Sequence, residues 1–487
     1  MSVLMGASQR VHAKSSTTEP TAASMAWTSN DPKVVQARQW LKDGKFAEAE
    51  KLLNEPDPSA DATAQEARLE TLEVIKRIRW DYHYSAQDVV DAMKRHVPNV
   101  TLDMVEQWRK QGQVQYRMID GQIAYFRREP ANMFRFCGEA KTLRGEEPKA
   151  GESDGWTLIK HLQNIVQAAD KGDSPYLLPV THTLKFTITV PADAEGMKPG
   201  ALVRVWLPYP QEYGHRQYNV KLISSSPGQP EIAPNGTPQR TAYFEHRIGK
   251  EVKPLVFEQV VQFTSAAYYP DLDPAKALPL PADYHDGNLG ERLPHIKFTP
   301  ELKKQVAEIV GSETNPLIKA QKIYYWICAN VAYYAEEEYC TIPSFSEAAF
   351  THRKGDCGVQ ATLFITMCRA AGIPARWQSG WETKPVGWDF HDWGEFYVAP
   401  WGWLPFDQSY SRQTASEEPK IRDFYIGHID SYRMIVNTDW GAALVPPKHS
   451  MRSEPADFQR GEVEIDGKNL YFDQWDFDVE WNWEKQR

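Results

Sequence analysis

Lys354-Gly355-Asp356-Cys357-Gly358-Val359-Gln360-Ala361-Thr362-Leu363-Phe364-Ile365-Thr366-Met367-Cys368-Arg369-Ala370-Ala371-Gly372-Ile373-Pro374-Ala375-Arg376 is the stretch on which the reading of this 487-residue chain turns. Gly355 and Gly358 permit a tight turn with close backbone approach. The run after them is helical in composition and stops at Gly372 and Pro374. The Cys357 thiol is therefore expected at a helix N-terminus. There, unpaired N–H groups and the positive end of the macrodipole favour the thiolate, the nucleophilic form.

Downstream, His391 opens a strand-like run, His391-Asp392-Trp393-Gly394-Glu395-Phe396-Tyr397-Val398. A turn at Pro400-Trp401-Gly402 leads to Trp403-Leu404-Pro405-Phe406 and then Asp407. The two runs read as a β-hairpin with His391 and Asp407 near its ends, where antiparallel pairing lets them meet. Cysteine, imidazole and carboxylate are the parts of an activated nucleophile. In that reading His391 takes the thiol proton and returns it to the leaving group, and Asp407 holds the imidazole tautomer. Taken singly, each has a plainer role: Cys357 as a small core hydrophobe, His391 as a satisfied strand residue, Asp407 as a turn residue or cap.

These motifs, with the helix-like Ala320-Gln321-Lys322-Ile323-Tyr324-Tyr325-Trp326-Ile327-Cys328-Ala329-Asn330-Val331 before them, resemble the transglutaminase-like superfamily of papain-like cysteine hydrolases and acyltransferases. The resemblance runs over about residues 290–425. It implies an α+β papain-like core and a Cys357, His391, Asp407 triad acting on peptide or carboxamide bonds through a thioester. The outcomes open to such a site are hydrolysis (peptidase or amidase), protein crosslinking, or, in a degenerate member, non-catalytic binding; hydrolysis is favoured. Asp392 stands where the family usually carries a small or apolar residue. The resemblance places one oxyanion donor at the Cys357 N–H and a second before the nucleophile segment, where Tyr333 and Tyr334 are available. It implies no metal and no organic cofactor.

Length and composition bound the rest. The soft prior for 487 residues is about three domains, and the apolar and charged fractions are those of a globular protein. A net charge of −10 without a basic run gives no support for nucleic-acid binding. No stretch approaches the length of a membrane span. Cys137, Cys328, Cys340 and Cys368 form no C-x-x-C pair and no zinc spacing, and are read as structural thiols. The partner implied is a protein or peptide substrate. Trp475, Trp481 and Trp483 could form a carbohydrate platform, but aromatics more often fill cores.

Along the chain, residues 1–30 are rich in Ser, Thr and Ala and are expected to be disordered. They show no complete signal peptide; Val11-His12-Ala13 fits the tail of a cleavage site if the start lies upstream, giving an exported protein, and otherwise a cytoplasmic one. Residues 31–175 read as a helical domain. It opens with an α-hairpin around Gly44 and continues with helices after Ser85 and Thr101. A hairpin at Ile119-Asp120-Gly121 gives a winged-helix shape, read as a packing module in preference to a DNA reader. Residues 180–270 alternate as a β-sandwich. Residues 271–430 hold a linker (271–300) and the catalytic core, and 431–487 a closing β extension expected to dock on the catalytic sheet or the sandwich.

Overall fold

The computed structural model describes residues 25–145, 156–412, 414, 416–448 and 450–485. Val11-His12-Ala13 and the expected disorder before Met25 lie outside these residues. From Met25 to Thr28 the chain is helical, not disordered. Ala26 is fully buried and the Trp27 indole donates to the Cys340 carbonyl at 2.8 Å, which pins this turn. No helix among the described residues is long and apolar enough to cross a membrane.

The helical block begins with Pro32–Lys42 and Phe46–Asn54, turning at Gly44. Gly44 has φ +76° and a Cβ there would meet Met118 O at 2.8 Å, so only glycine lets the turn seat on the hairpin behind it. Ser85 caps Ala86–Lys94 in a reciprocal box with Asp88, and Thr101 caps Leu102–Lys110. Tyr116–Ile119 and Gln122–Phe126 form the hairpin, extended by Tyr82–Tyr84 into three strands. The hairpin's arginines turn inward: Arg117 pairs with Glu337 at 2.8 Å, and Arg127 with Asp81 at 2.9 Å and Glu338 at 3.2 Å.

Two antiparallel sheets pack face to face in the middle of the chain. One orders Lys468–Leu470, Glu462–Ile465, Leu202–Pro208, Thr241–Arg247 and Glu231–Ile232. The other orders Asp476–Lys485, Tyr176–Val190, Leu255–Tyr268 and Gln217–Ser226. Leu184, Phe186, Ile188 and Val190 alternate inward from the long first strand. The tail thus supplies three strands to this body. It also buries Trp475, which leaves that ring no free face for sugar, while the Trp481 indole donates to Lys384 O at 3.3 Å.

The third body is a four-stranded antiparallel sheet, ordered Gly402–Phe406, Gly387–Val398, Ala375–Lys384 and Arg433–Asn437. The apolar helix Cys357–Ala370 lies on it, flanked by Pro316–Asn330 and Phe345–His352. The strand carrying His391 begins at Gly387, four residues before the sequence reading placed it. Trp388 and Phe390 extend it by packing on Trp381, so His391 sits within the strand opposite Gly380. The linker straps the far end of the helix: Arg369 donates to Gly290 O and Asn288 Oδ1, both at 2.9 Å.

Candidate active site

Cys357 occupies the first position of its helix, as the sequence reading expects. Asp356 is the cap, its carboxylate accepting from Val359 N at 3.1 Å. Gly358 next to it admits two neighbours: a Cβ there would lie 2.3 Å from Tyr339 Oη and 2.7 Å from Asp392 Oδ2. Tyr339 Oη lies 2.8 Å from Asp356 Oδ1 and 2.9 Å from Asp392 Oδ2. One phenolic hydrogen cannot serve both oxygens at once, so a second proton on one carboxyl completes the pair of bonds.

His391 Nε2 and Asp407 Oδ2 are 2.7 Å apart. Nδ1 is the nitrogen left for a reacting sulfur. Asp407 is fully buried and held from two further sides, by Ser409 Oγ at 2.7 Å and Arg433 Nη1 at 2.8 Å. Arg433 is anchored in turn by Asp430 at 3.1 Å. The Trp393 ring lies nearly parallel to the imidazole, 6.0 Å away, and Tyr410 meets its face edge-on at 5.2 Å. These contacts fix the ring's orientation.

The thiol has a different partner from the one the sequence suggests. Cys357 Sγ donates to Asp392 Oδ2 at 3.5 Å, and no hydrogen bond joins Sγ to His391. The imidazole and carboxylate are thus in direct contact, while the sulfur rests against the residue after the histidine. Gln459, from the chain's C-terminal part, holds that residue in place, donating to Asp392 Oδ1 at 2.8 Å and to His391 O at 3.0 Å.

Electrostatics follow from this packing. Burial, then the charges of Asp392 and Asp356, push the Cys357 thiol well above its ordinary range. At this helix start, desolvation and two carboxylates act against the thiolate that the dipole favours. Burial lowers His391, but the charge and hydrogen bond of Asp407 outweigh it and hold the imidazole above its ordinary value. Burial followed by Asp356's charge lifts Asp392 to about 7, and burial lifts Asp356 to about 6.

The sign for reactivity is plain. Above about pH 7 Asp392 is ionised and opposes the thiolate. Asp392→Asn removes that charge, so the pH profile of Cys357 alkylation by iodoacetamide is expected to move to lower pH by on the order of one unit. A profile unmoved by the substitution would show that Asp392 does not set the thiol's ionisation.

The sulfur opens into a cavity of about 490 Å3, lined also by Tyr333, Tyr339, Asp392 and the Ser453–Arg460 region. Of the two tyrosines considered for the oxyanion, Tyr334 gives its hydroxyl to Glu129 and is thereby occupied, whereas Tyr333 lines the cavity. Tyr339, Arg433 and Gln459 were not legible as site residues. They arrive from separate segments, and only the fold brings them together.

Residues 303–408 match the family model described as the transglutaminase-like superfamily. An uncharacterized protein of Haemophilus influenzae is 29% identical over 154 residues, covering 27% of this chain and 42% of that protein. The chain therefore spans less than half the length of the curated relative it matches. Among solved structures, a candidate cysteine protease from Cytophaga hutchinsonii is 17% identical over 64% of this chain and 92% of its own, with a TM-score of 0.42. The periplasmic domain of TgpA from Pseudomonas aeruginosa is 19% identical over 52% of this chain and 93% of its own, with a TM-score of 0.26.

Proposed function

We propose that this chain, whose residues 303–408 form a transglutaminase-like domain, is a cysteine-dependent acyl-transfer enzyme that hydrolyses peptide or carboxamide bonds. The observation that carries this reading is the 2.7 Å His391–Asp407 pair on the strand whose next residue, Asp392, touches the thiol of a helix-N-terminal cysteine that lines a cavity. Substrate entering the cleft displaces the S–H from Asp392 and leaves His391 Nδ1 as its acceptor. Sγ then attacks the carbonyl carbon as its proton passes to Nδ1. The Cys357 N–H, without an intrahelical acceptor at the first helical position, faces the developing oxyanion. Collapse breaks the C–N bond, His391 protonates the departing amine, and a thioester remains on Cys357. Water, deprotonated by His391, releases the carboxylic acid and restores the thiol.

Three outcomes are distinguished by incubating a peptide amide with the protein, with and without a primary amine such as cadaverine, and weighing the products. Release of the free acid with no amine adduct is expected. An amine adduct as the main product would point to crosslinking instead. No product of either kind would leave the fold as a binding scaffold.

A further inference from the structure

Building on the cysteine-enzyme reading above, we propose that the acyl donor carries a positive charge, an ammonium or guanidinium group held beside the scissile carbonyl by Glu336 and Asp457. The cavity that exposes Cys357 is lined by eight carboxylates and only three guanidinium groups. Those three are already engaged. Arg127, Arg128 and Arg460 all reach Glu338, at 3.2, 3.4 and 2.7 Å, and Arg460 also reaches Glu454 at 2.6 Å. Glu337 is held from behind by Arg117.

Asp356 and Asp392 share the Tyr339 hydroxyl and Asp389 is exposed, which leaves Glu336 and Asp457. Both line the cavity, and they are 9% and 7% exposed. Among the described residues, neither carboxylate has a hydrogen bond or ion pair with another side chain; Arg128 touches Glu336 only at its backbone carbonyl, at 3.4 Å. Buried carboxylates are normally paired, because stripping them of water costs several kcal/mol otherwise. Burial comes first, and neighbouring carboxylates add to it, in raising both groups above the usual carboxylate range. A ligand cation offsets the repulsion and supplies the charge partner that these buried carboxylates lack.

An ammonium or guanidinium suits this pair of carboxylates better than a metal ion. No group of three or more His, Cys, Asp or Glu side chains among the described residues could hold a metal ion. Surplus negative charge in a low-dielectric cleft also concentrates cationic substrates near the thiol.

The test uses three peptidyl acyloxymethyl ketones on the full chain, identical but for lysine, norleucine or glutamate next to the reactive carbonyl. Their rates of attachment to Cys357 are compared by peptide mass spectrometry. The lysine probe is expected to react about tenfold or more faster than norleucine, and glutamate more slowly still. In Glu336→Gln/Asp457→Asn the lysine-to-norleucine ratio is expected to fall toward one. Equal lysine and norleucine rates, with labelling still dependent on His391, would overturn this inference and leave the cysteine-enzyme reading intact. A ratio unchanged in the double variant would overturn the assignment to Glu336 and Asp457. Absence of Cys357 labelling by every probe would overturn both readings.

Discussion

His391→Ala and Cys357→Ala are each expected to lower kcat/KM for an amide substrate by about 10⁴-fold or more, and the double variant by no more than the worse single. In the proposed triad, base and nucleophile act as one unit. Without Nδ1 the buried thiol, already pushed well above its ordinary range, has no acceptor that leaves it nucleophilic. Asp392 cannot substitute: its own value near 7 is set by burial and Asp356, and its negative charge opposes the thiolate it would create. Turnover measured on samples with matched circular dichroism would check this. A His391→Ala protein within tenfold of wild type would contradict the triad reading.

Arg433→Met is expected to destabilise the fold by about 3–5 kcal/mol, the usual cost of stranding a buried charge. Arg433 is 2% exposed and serves two buried carboxylates, Asp407 and Asp430. Burial alone would raise both, but Arg433, together with His391 for Asp407, holds them below the ordinary carboxylate range. Their stabilising contribution is therefore present above the unfolded carboxylate range and is lost as pH falls through the lower folded values. With the guanidinium gone, both carboxyls rise, and the acid-side loss should begin at higher pH than in wild type. Urea unfolding followed at several pH values between 3 and 8 measures both effects. A change below about 1 kcal/mol, as for an exposed pair, would contradict this role.

Much of the site was legible because its chemistry is local. Two glycines flanking a cysteine before an apolar run specify a turn and a helix start, and that is where Cys357 lies. The apolar runs around Pro400-Trp401-Gly402 specify a hairpin, and its register sets Gly394 against Phe406, one residue before Asp407. What escaped the sequence is long-range. Arg433 lies 26 positions past Asp407 with nothing in its local pattern to mark it, yet it closes the sheet beside that carboxylate. Asp392 departs from the family pattern in the sequence itself, but its effect on the thiol depends on burial, which composition does not report. The hairpin of the helical block, which the sequence reads as a packing element in preference to a DNA reader, spends the charges of Arg117 and Arg127 on Glu337, Asp81 and Glu338.

The most direct test is the rate at which the norleucine acyloxymethyl ketone attaches to Cys357 at neutral pH, in wild type and in His391→Ala. Imidazole-assisted attack predicts labelling slowed by at least about 100-fold in the variant. Equal rates in the two proteins would mean that the sulfur reacts without help from the base, and the account of Cys357 as an activated nucleophile would fail.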